Sequence, residues 1–316
     1  MQNKAQGHVL ALGTFDGVHL GHRALLQQTV MLAETLDATP IIYTFKNHPL
    51  SLFGRSPKLL MTEAERTAAL EATGMPVVAD PFDAQFAAQP PQAFVRMLVE
   101  RFALRGAVVG FNYTFGDRGA GDTALLQALG KELGFAVQVI EPVSYKGAPV
   151  SSTRIRACLE EGALDAANIM LGACYALSGT VAANRRIGHT LGFPTANLEE
   201  YGNKVLPSPG VYAARAYVAG QVFQAVTNVG NNPTVEGKVT TVETHLLEFD
   251  RDIYGMPMRV EFVARLRGEI RFPSREALSK QIASDAARAR EILAEAGQSR
   301  FTSRDGCGIL PRCKNR

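Results

Sequence analysis

The sequence has few cysteines, no long apolar run and little excess charge. Its four cysteines include no CxxC pair and form no dense framework, which suits a protein of a reducing cytosol. No apolar stretch is long enough to span a bilayer, and the first residues lead directly into a predicted strand, which leaves no room for a signal peptide. We therefore expect a cytoplasmic protein that does not act in a membrane.

The net charge of +3 does not by itself exclude any class of binding partner. Residues 298–316 hold five cationic side chains and one acidic side chain, so this tail carries +4 and the rest of the chain −1. Because the basic residues belong to the tail, the charge does not indicate a nucleic-acid partner. Residues 298–316 are expected to form a mobile tail.

With 316 residues, 46% of them hydrophobic, the chain is long enough for two domains. Residues 8–160 alternate short apolar strands with helices, which predicts an open, mostly parallel sheet of the α/β class. From Ser178 the apolar period changes to two, which predicts a small antiparallel β-barrel, followed by a closing helix capped by Ser274. The predicted parallel strands are Val9–Leu12, Pro40–Phe45, Val77–Ala79, Ala107–Val109 and Ala136–Glu141.

The stretch Leu10–Leu26, which reads LALGTFDGVHLGHRALL, combines a buried strand with the start of a helix. Such a junction presents free backbone N–H groups and partial positive charge, which suits an anion. His19 and His22 face the same way on a first helical turn, and Gly21 leaves room for a phosphate. The two imidazoles could neutralise charge that develops during phosphoryl or nucleotidyl transfer.

Simpler interpretations of this stretch are a corner with two surface histidines or half of a metal site, although no further ligands stand at zinc-like spacing. The glycine fingerprints of dinucleotide-binding folds and P-loops are both missing. However, four polar segments follow predicted strands, and the carboxyl ends of parallel strands converge on one edge of a sheet. These segments are residues 13–22, 44–49, 110–116 and 150–156.

Four motifs, GTFDGVHLGH, TFKNHP, VVGFNYTFG and VSSTRIR, resemble the FMN adenylyltransferase module of bacterial bifunctional riboflavin kinase/FMN adenylyltransferases (FAD synthetases), which are Rossmann-like HxGH nucleotidyltransferases. Lys46-Asn47 ahead of His48 is atypical for the second motif. The resemblance implies that His19 and His22 hold ATP phosphates and stabilise the transition state, and that Asn112 lies near the transferring phosphate or the flavin. The other implied ATP-binding residues are Gly13, Phe15, Asp16, Ser152, Thr153 and Arg156; Ser152 is also predicted to be an N-cap.

Two candidate sites stand out in the second half. In GFPTAN, the Thr195 hydroxyl and the Asn197 carbonyl are hard oxygen ligands suited to Mg²⁺ on nucleotide phosphates, although a turn with a local Asx bond is the alternative. Glu243 could take a proton from a substrate hydroxyl, or it could be a surface carboxylate on a strand. Gly179, with the loop 183–192, could close over the phosphates.

The motifs GFPTAN, NVGNNPT, VETHLLEFD and FPSREAL resemble the riboflavin kinase module of the same family, over residues 178–296. This resemblance implies that Thr195 and Asn197 bind Mg-ATP, and that Glu243 is the base toward the riboflavin 5′-hydroxyl. Asn184 stands where the family has glycine, and His189 where arginine is commoner. Both departures predict a slower kinase.

The sequence therefore predicts one enzyme with two active sites, whose ligands are ATP, riboflavin, FMN and Mg²⁺, and which is a monomer or a weak homo-oligomer. Residues 1–162 are the predicted adenylyltransferase domain, 163–177 a connector and 178–297 the kinase domain. The alternatives are an adenylyltransferase with an impaired kinase, a flavin- or nucleotide-binding regulatory protein without turnover, and a cytidylyltransferase, which would leave the barrel unexplained.

Overall fold

The structure is a computed structural model, and it describes residues 7–54, 57–182, 195–234 and 237–302. These residues divide into two compact units, the first ending at Ser152 and the second beginning at Thr153. Each unit contains one of the two predicted types of fold, which confirms the predicted fold class.

A five-stranded parallel sheet forms the centre of the first unit, and its strands coincide with the predicted ones to within a few residues. The strand order in space is β3-β2-β1-β4-β5. In chain order the strands are β1 (His8–Leu12), β2 (Thr39–Phe45), β3 (Val77–Asp80), β4 (Leu104–Gly110) and β5 (Ala136–Ile140).

Helices connect these strands, and local sequence signals mark several of their ends. The second helix begins at a capping box in which Thr62 and Glu65 each accept a hydrogen bond from the other's backbone N–H. The fifth begins at the cap Asp122 and ends at Gly134, whose φ of +79° favours glycine. The helices are α1 (Leu20–Thr35), α2 (Glu63–Glu71), α3 (Ala84–Ala87), α4 (Pro91–Phe102) and α5 (Thr123–Leu133).

Alternate residues of β1 are buried on opposite faces of the sheet. Leu10 and Leu12 belong to the apolar cluster that includes residues of α4 and α5, whereas Val9 and Ala11 belong to the cluster that includes residues of α1 and α2. Burial on both faces explains why the strand reads as a continuous apolar run.

The strand order creates a switch point between β1 and β4. From β1 the chain adds β2 and β3 on one side, and it then returns to add β4 and β5 on the other. Ligands of open α/β sheets bind beyond the carboxyl ends of the strands at such a point. The segment that follows β1 there is Gly13–His19.

Among its described residues, the second unit has a closed six-stranded antiparallel barrel and three helices. Its strand order is β10-β11-β12-β9-β8-β13, and a short ribbon, β6 (Ser144–Tyr145) and β7 (Ala148–Pro149), precedes it in the first unit. The elements that follow are α6 (Ser152–Glu160), α7 (Leu164–Leu171), β8 (Tyr175–Ala182), β9 (Ala196–Glu199), β10 (Gly210–Val218), β11 (Gln221–Thr234), β12 (Gly237–Leu246), β13 (Pro257–Arg267) and α8 (Arg275–Thr302).

Helices α6 and α7 pack with the barrel, although the sequence placed the domain boundary after residue 162. The Ser208 N–H donates to the Leu159 carbonyl at 2.8 Å, and the Asn168 amide donates to the Phe262 carbonyl at 3.0 Å. The Asn168 side chain also accepts from the Tyr175 N–H at 2.7 Å. The predicted connector, 163–177, therefore contains α7 and the start of a barrel strand.

Helix α8 covers part of the outer surface of the barrel. Ala286, Ala289 and Leu293 pack against Val211 and Leu266. A bidentate ion pair between Arg267 and Asp285, with Nη2 and Oδ2 2.7 Å apart, fixes the helix to β13. As predicted, Ser274 caps the helix by accepting from the Ala277 N–H. The helix continues to Thr302, inside the segment expected as a tail, and residues 303–316 lie outside the described part of the chain.

Candidate functional site

The two histidines of the first unit form a stacked pair at the start of α1. His19 is the N-cap, and its Nδ1 accepts a hydrogen bond from the His22 N–H at 3.3 Å. The ring centroids lie 3.6 Å apart with an interplanar angle of 13°. The Phe15 ring approaches His22 edge-on at 5.3 Å. The predicted juxtaposition of the two imidazoles at a helix N-terminus is present.

Burial and the neighbouring His19 hold the pKa of His22 well below its ordinary value. His22 is therefore neutral near pH 7. Its buried Nδ1 has no hydrogen-bond partner among the residues that the structure describes. Because a nearby anion favours the charged form of a base, a polyphosphate beside this pair would raise the pKa of His22.

The absence of a side chain at Gly21 affects the packing of His19. A Cβ atom at this position would lie 3.2 Å from Cε1 and 3.3 Å from Nδ1 of His19. The missing side chain thus makes room for the His19 ring, which is itself buried. Room for a phosphate beside Gly21 stays a prediction.

The loop between β1 and α1 has an unusual backbone. Phe15 has a φ of +53° and Val18 a φ of +40°, and Gly17 lies between them with a φ of +89°. Positive φ in residues with side chains costs energy and persists only where the surroundings enforce it. Gly13 opens the loop, and a Cβ there would lie 3.1 Å from the Phe15 ring.

Asp16 and Ser152 hold this loop in place. The Asp16 carboxylate is buried and accepts from the backbone N–H groups of Leu60 and Met61 at 3.0 to 3.1 Å. Ser152 Oγ donates to the Asp16 carbonyl at 2.8 Å. Ser152 is the first residue of α6 rather than the predicted N-cap before it. Thr153 and Arg156 follow on α6, in the second unit.

Asn112 lies just beyond the carboxyl end of β4, the strand next to β1. Its side chain is exposed, as is that of Phe111. Asn112 therefore stands at the same edge of the sheet as the histidine pair.

The segment after β2 contains a contact that the sequence did not suggest. The Asn47 amide donates to the Phe82 carbonyl and accepts from the Phe82 N–H, both at 2.9 Å. His48 caps the short 3₁₀ helix Pro49–Phe53 by accepting from the Leu50 N–H at 3.2 Å. The atypical Lys46-Asn47 pair thus includes a residue that joins the ends of β2 and β3.

Arg66 is a further residue that sequence analysis missed. Its guanidinium, on α2, is buried and donates to the carbonyls of Thr14, Phe45 and Lys46. The signal was present in the spacing, since Arg66 lies one helical turn before the buried Leu70 and so shares its face.

In the barrel, Asn197 and Glu243 occupy directly opposed positions on β9 and β12. Asn197 alternates with the buried Ala196 and Leu198, and Glu243 with the buried Val242 and Thr244. Both side chains therefore lie on the outer face of the barrel, where opposed Cβ atoms are about 5 Å apart. Thr195 immediately precedes β9, two residues from Asn197.

Three more polar residues lie near Glu243 or the adjacent Gly230 and were not predicted. Asn228 is its register partner on β11. Thr241 Oγ1 lies 3.4 Å from Glu243 Oε1 and 3.5 Å from the Gly230 carbonyl. A Cβ at Gly230 would lie 2.9 Å from the Asn228 amide and 3.1 Å from Glu269 Oε1, so these two groups converge there. The sequence alternation shows only that a polar residue on a strand faces outward. Because ordinary solvent-exposed residues do the same, the alternation could not identify these residues as part of a site.

Gly179 has a clear packing role, because a Cβ there would lie 2.0 Å from the Glu199 carbonyl. Glycine thus allows the close approach of β8 to the end of β9. The nearby Thr180 hydroxyl donates to Glu200 at 2.7 Å. Asn184, His189 and the loop 183–192 lie outside the described residues.

The outer-face donors are oxygen atoms of Asn197, Thr241 and Glu243, which suit a hard cation such as Mg²⁺. Among the described residues, no cluster of three or more His, Cys, Asp or Glu side chains could hold a metal ion. This donor set therefore fits an Mg²⁺ ion that takes most of its ligands from nucleotide phosphates and water.

Comparison with protein families divides the chain in the same way. The model of the FAD synthetase family matches residues 1–154, and that of the riboflavin kinase family matches residues 171–293.

Within the described residues, no helix has both the length and the apolar composition needed to cross a bilayer.

Three curated proteins named bifunctional riboflavin kinase/FMN adenylyltransferase are similar to nearly the whole chain. That of Haemophilus influenzae is 35% identical over 293 residues, covering 91% of this chain and 95% of the relative. That of Escherichia coli K12 is 36% identical, covering 92% and 95%. That of Bacillus subtilis is 33% identical, covering 88% and 90%.

A solved structure is also similar over most of the chain. It is titled as a macrolide-efflux protein from Streptococcus pneumoniae, and it aligns with a TM-score of 0.83 at 28% sequence identity. The alignment covers 91% of this chain and 95% of that one.

Proposed function

Because the chain belongs to the family of bifunctional riboflavin kinase/FMN adenylyltransferases, we propose that it catalyses two consecutive steps of flavin synthesis. The second unit transfers the γ-phosphoryl group of ATP to riboflavin and forms FMN. The first unit transfers AMP from a second ATP to FMN and forms FAD and pyrophosphate. Its small-molecule partners are thus riboflavin, FMN and ATP, and it acts in the cytoplasm as a monomer or a weak homo-oligomer.

The stacked His19–His22 pair at the start of α1 carries the proposal for the first unit. A phosphate oxygen of FMN attacks the α-phosphorus of ATP, and the bond from that phosphorus to the oxygen bridging to the β-phosphorus breaks. Negative charge develops on the departing pyrophosphate, next to the two imidazoles and the free N–H groups of α1. Thr153 and Arg156 grip the triphosphate, and Ser152 takes part in ATP binding by holding the loop through its hydrogen bond to the Asp16 carbonyl. Asn112 contacts the transferring phosphate or the flavin.

The remaining residues of the loop act in nucleotide binding through its shape. The buried Asp16 carboxylate accepts from two backbone N–H groups, so it holds the loop rather than touching ATP. Gly13 and Phe15 place the loop backbone against the nucleotide.

For the second unit, the opposed pair Asn197 and Glu243 carries the proposal. The Glu243 carboxylate accepts the proton of the riboflavin 5′-hydroxyl while that oxygen bonds to the γ-phosphorus and ADP leaves. Thr195 and Asn197 hold Mg²⁺, which when bound neutralises charge on the phosphates. Neither unit needs a covalent intermediate, so positioning and charge stabilisation are sufficient. Gly179 supports the nucleotide site by letting β8 approach β9.

A chromatographic product assay tests the proposal. One sample receives riboflavin, ATP and Mg²⁺, and a parallel sample receives FMN in place of riboflavin. FAD in both samples, with FMN as an intermediate in the first, is the expected result. FAD from FMN alone would mean that the second unit is not a working kinase. Bound flavin without any product would contradict the enzymatic proposal and favour a regulatory protein.

A further inference from the structure

Arg66 makes contacts that are unusual for an arginine on a helix surface. Only 6% of the residue is exposed, and its guanidinium binds three backbone carbonyls. Nη1 donates to the Thr14 carbonyl at 3.3 Å, and Nη2 donates to the carbonyls of Phe45 and Lys46, the latter at 2.8 Å. Thr14 lies in the loop after β1, and Phe45 ends β2. The Arg66 side chain thus connects the carboxyl ends of two adjacent strands, β1 and β2, at the points where their loops begin.

Two carboxylates, one in the β1 loop and one on α2, act on the charge of Arg66. Burial lowers the pKa of Arg66, and the carboxylates of Asp16 and Glu63 oppose this effect. Asp16 is two residues from Thr14, and its carboxylate accepts from Leu60 and Met61, just before α2. The β1 loop and the α2 region are therefore linked twice, once by each of these charged residues.

Stability alone does not explain a guanidinium at this position. Burying a charge is costly, and replacing a whole buried ion pair by apolar side chains of similar volume is often neutral or stabilising. Arg66 Nε is also buried without a hydrogen-bond partner among the described residues. The position of the Arg66 guanidinium is therefore explained better by the backbone segments that its Nη1 and Nη2 atoms hold in place than by a gain in stability.

What they hold is the strained loop that leads to His19. Phe15 and Val18 have positive φ values, and such strained conformations persist only where the surrounding structure enforces them. The Arg66–Thr14 contact lies immediately before Phe15. We propose that Arg66 is a positioning residue for nucleotidyl transfer: it fixes the backbone of Gly13–Val18 and thereby the His19–His22 pair. This inference rests on the function proposed for the first unit.

The test compares Arg66→Met and Arg66→Lys with Arg101→Met as the matched control in the full-length protein. Arg101 is a half-exposed arginine of the same unit that pairs with Asp80 and binds no site loop. We expect Arg66→Met to lower kcat for FAD formation from FMN by about a hundredfold, because small displacements of catalytic groups have effects of this size. The KM for ATP should change less than the kcat. Arg66→Lys should recover part of the rate, and Arg101→Met should retain it.

Riboflavin phosphorylation in the same samples is the internal control, since the second unit should be unaffected. A wild-type kcat in Arg66→Lys and in a folded Arg66→Met would overturn the inference. If Arg66→Met does not fold, Arg66→Lys decides alone: a reduced kcat at unchanged melting temperature supports positioning, and an unchanged kcat refutes it.

Amide hydrogen exchange separates this inference from the proposed function. Exchange in residues 13–18 should be faster in Arg66→Lys than in the wild type, whether or not the protein makes FAD. Unchanged exchange would refute positioning even in an active enzyme. A wild type that makes no FAD, combined with faster loop exchange in the variant, would instead contradict only the proposed function.

Discussion

Asn197 and Glu243 lie directly opposite each other on neighbouring antiparallel strands, with their side chains on the outer face of the barrel. Directly opposed side chains on one face are close enough to act on the same ligand. The Glu243 carboxylate, which can accept a proton, thus lies next to the Asn197 amide oxygen, which can bind a cation. Because strands fix both residues, their separation does not depend on a loop.

Replacing Glu243 by glutamine should remove the proposed base with little change in shape. We expect the kcat of riboflavin phosphorylation to fall by about a hundredfold or more, the range typical of general-base removal. FAD formation from FMN should be unchanged, because the other unit carries it. Glu248→Gln is the control, since that side chain is 84% exposed on the same barrel. Equal phosphorylation rates in Glu243→Gln and the control would contradict the assignment.

Replacing Asn197 by alanine should weaken the use of Mg²⁺ by the kinase. The Mg²⁺ concentration for half-maximal phosphorylation should rise about tenfold, as is common when the surroundings of a bound metal are disturbed. Gln224→Ala, which removes an exposed amide from β11, is the control. A variant with a lower kcat but an unchanged Mg²⁺ requirement would show that Asn197 does not bind the metal.

A methyl group at Gly21 should separate stability from activity. Alanine favours a helix over glycine by up to about 1 kcal/mol, so Gly21→Ala should not lower the melting temperature by itself. Its Cβ would, however, press on the His19 ring at 3.2 Å and disturb the stacked pair. We expect FAD formation to fall about tenfold, with phosphorylation unchanged. Wild-type FAD formation would mean that the ring position is not critical.

The sequence departures at Asn184 and His189 give a prediction that concerns the kinase alone. Glycine and arginine are the residues expected there by resemblance, so Asn184→Gly and His189→Arg should each raise phosphorylation turnover. FAD formation from FMN serves as the reference activity in both variants. If neither turnover nor its ATP dependence changes, these two residues do not explain any slowness of the kinase.

The strands and helix ends were predictable because local physics sets them. Both faces of β1 are covered by helices, so its apolar run could be seen directly, and Thr62 and Glu65 form the capping box that their spacing predicts. The histidine pair was predictable for a similar reason, since a three-residue spacing at a helix start places two rings on one side.

Contacts between distant segments were not predictable. Arg66 lies four residues before the buried Leu70 and so on the same face of α2, but charged residues are rarely buried, and its carbonyl partners 52 and 21 residues away could not be predicted from that spacing. The close packing of Gly21 against the His19 ring was likewise not predicted. Ser152 fits an N-cap by composition, yet its hydroxyl is bound to Asp16 across 136 residues.

The low pKa of His22 predicts a specific dependence of stability on pH. Between pH about 6.5 and the lowered folded-state value, the unfolded chain binds a proton at His22 that the folded chain does not. The free energy of unfolding of the first unit should therefore be highest with respect to His22 above pH about 6.5, and it should decrease as the pH falls below this value.

Protection of the Val9–Leu12 amides against hydrogen exchange measures this stability in the full-length chain, after correction for intrinsic exchange rates. Measurements should stay above pH about 5, because Asp80 acts in a lower range. Burial raises the pKa of that carboxyl, but hydrogen bonds from Arg101 and Tyr43 outweigh the effect and lower it. In His22→Gln the decrease between pH about 7.5 and 5.5 should be smaller than in the wild type. Equal decreases in both proteins would show that His22 titrates normally, so that it would enter the catalytic cycle already partly charged rather than gaining its charge from bound phosphate.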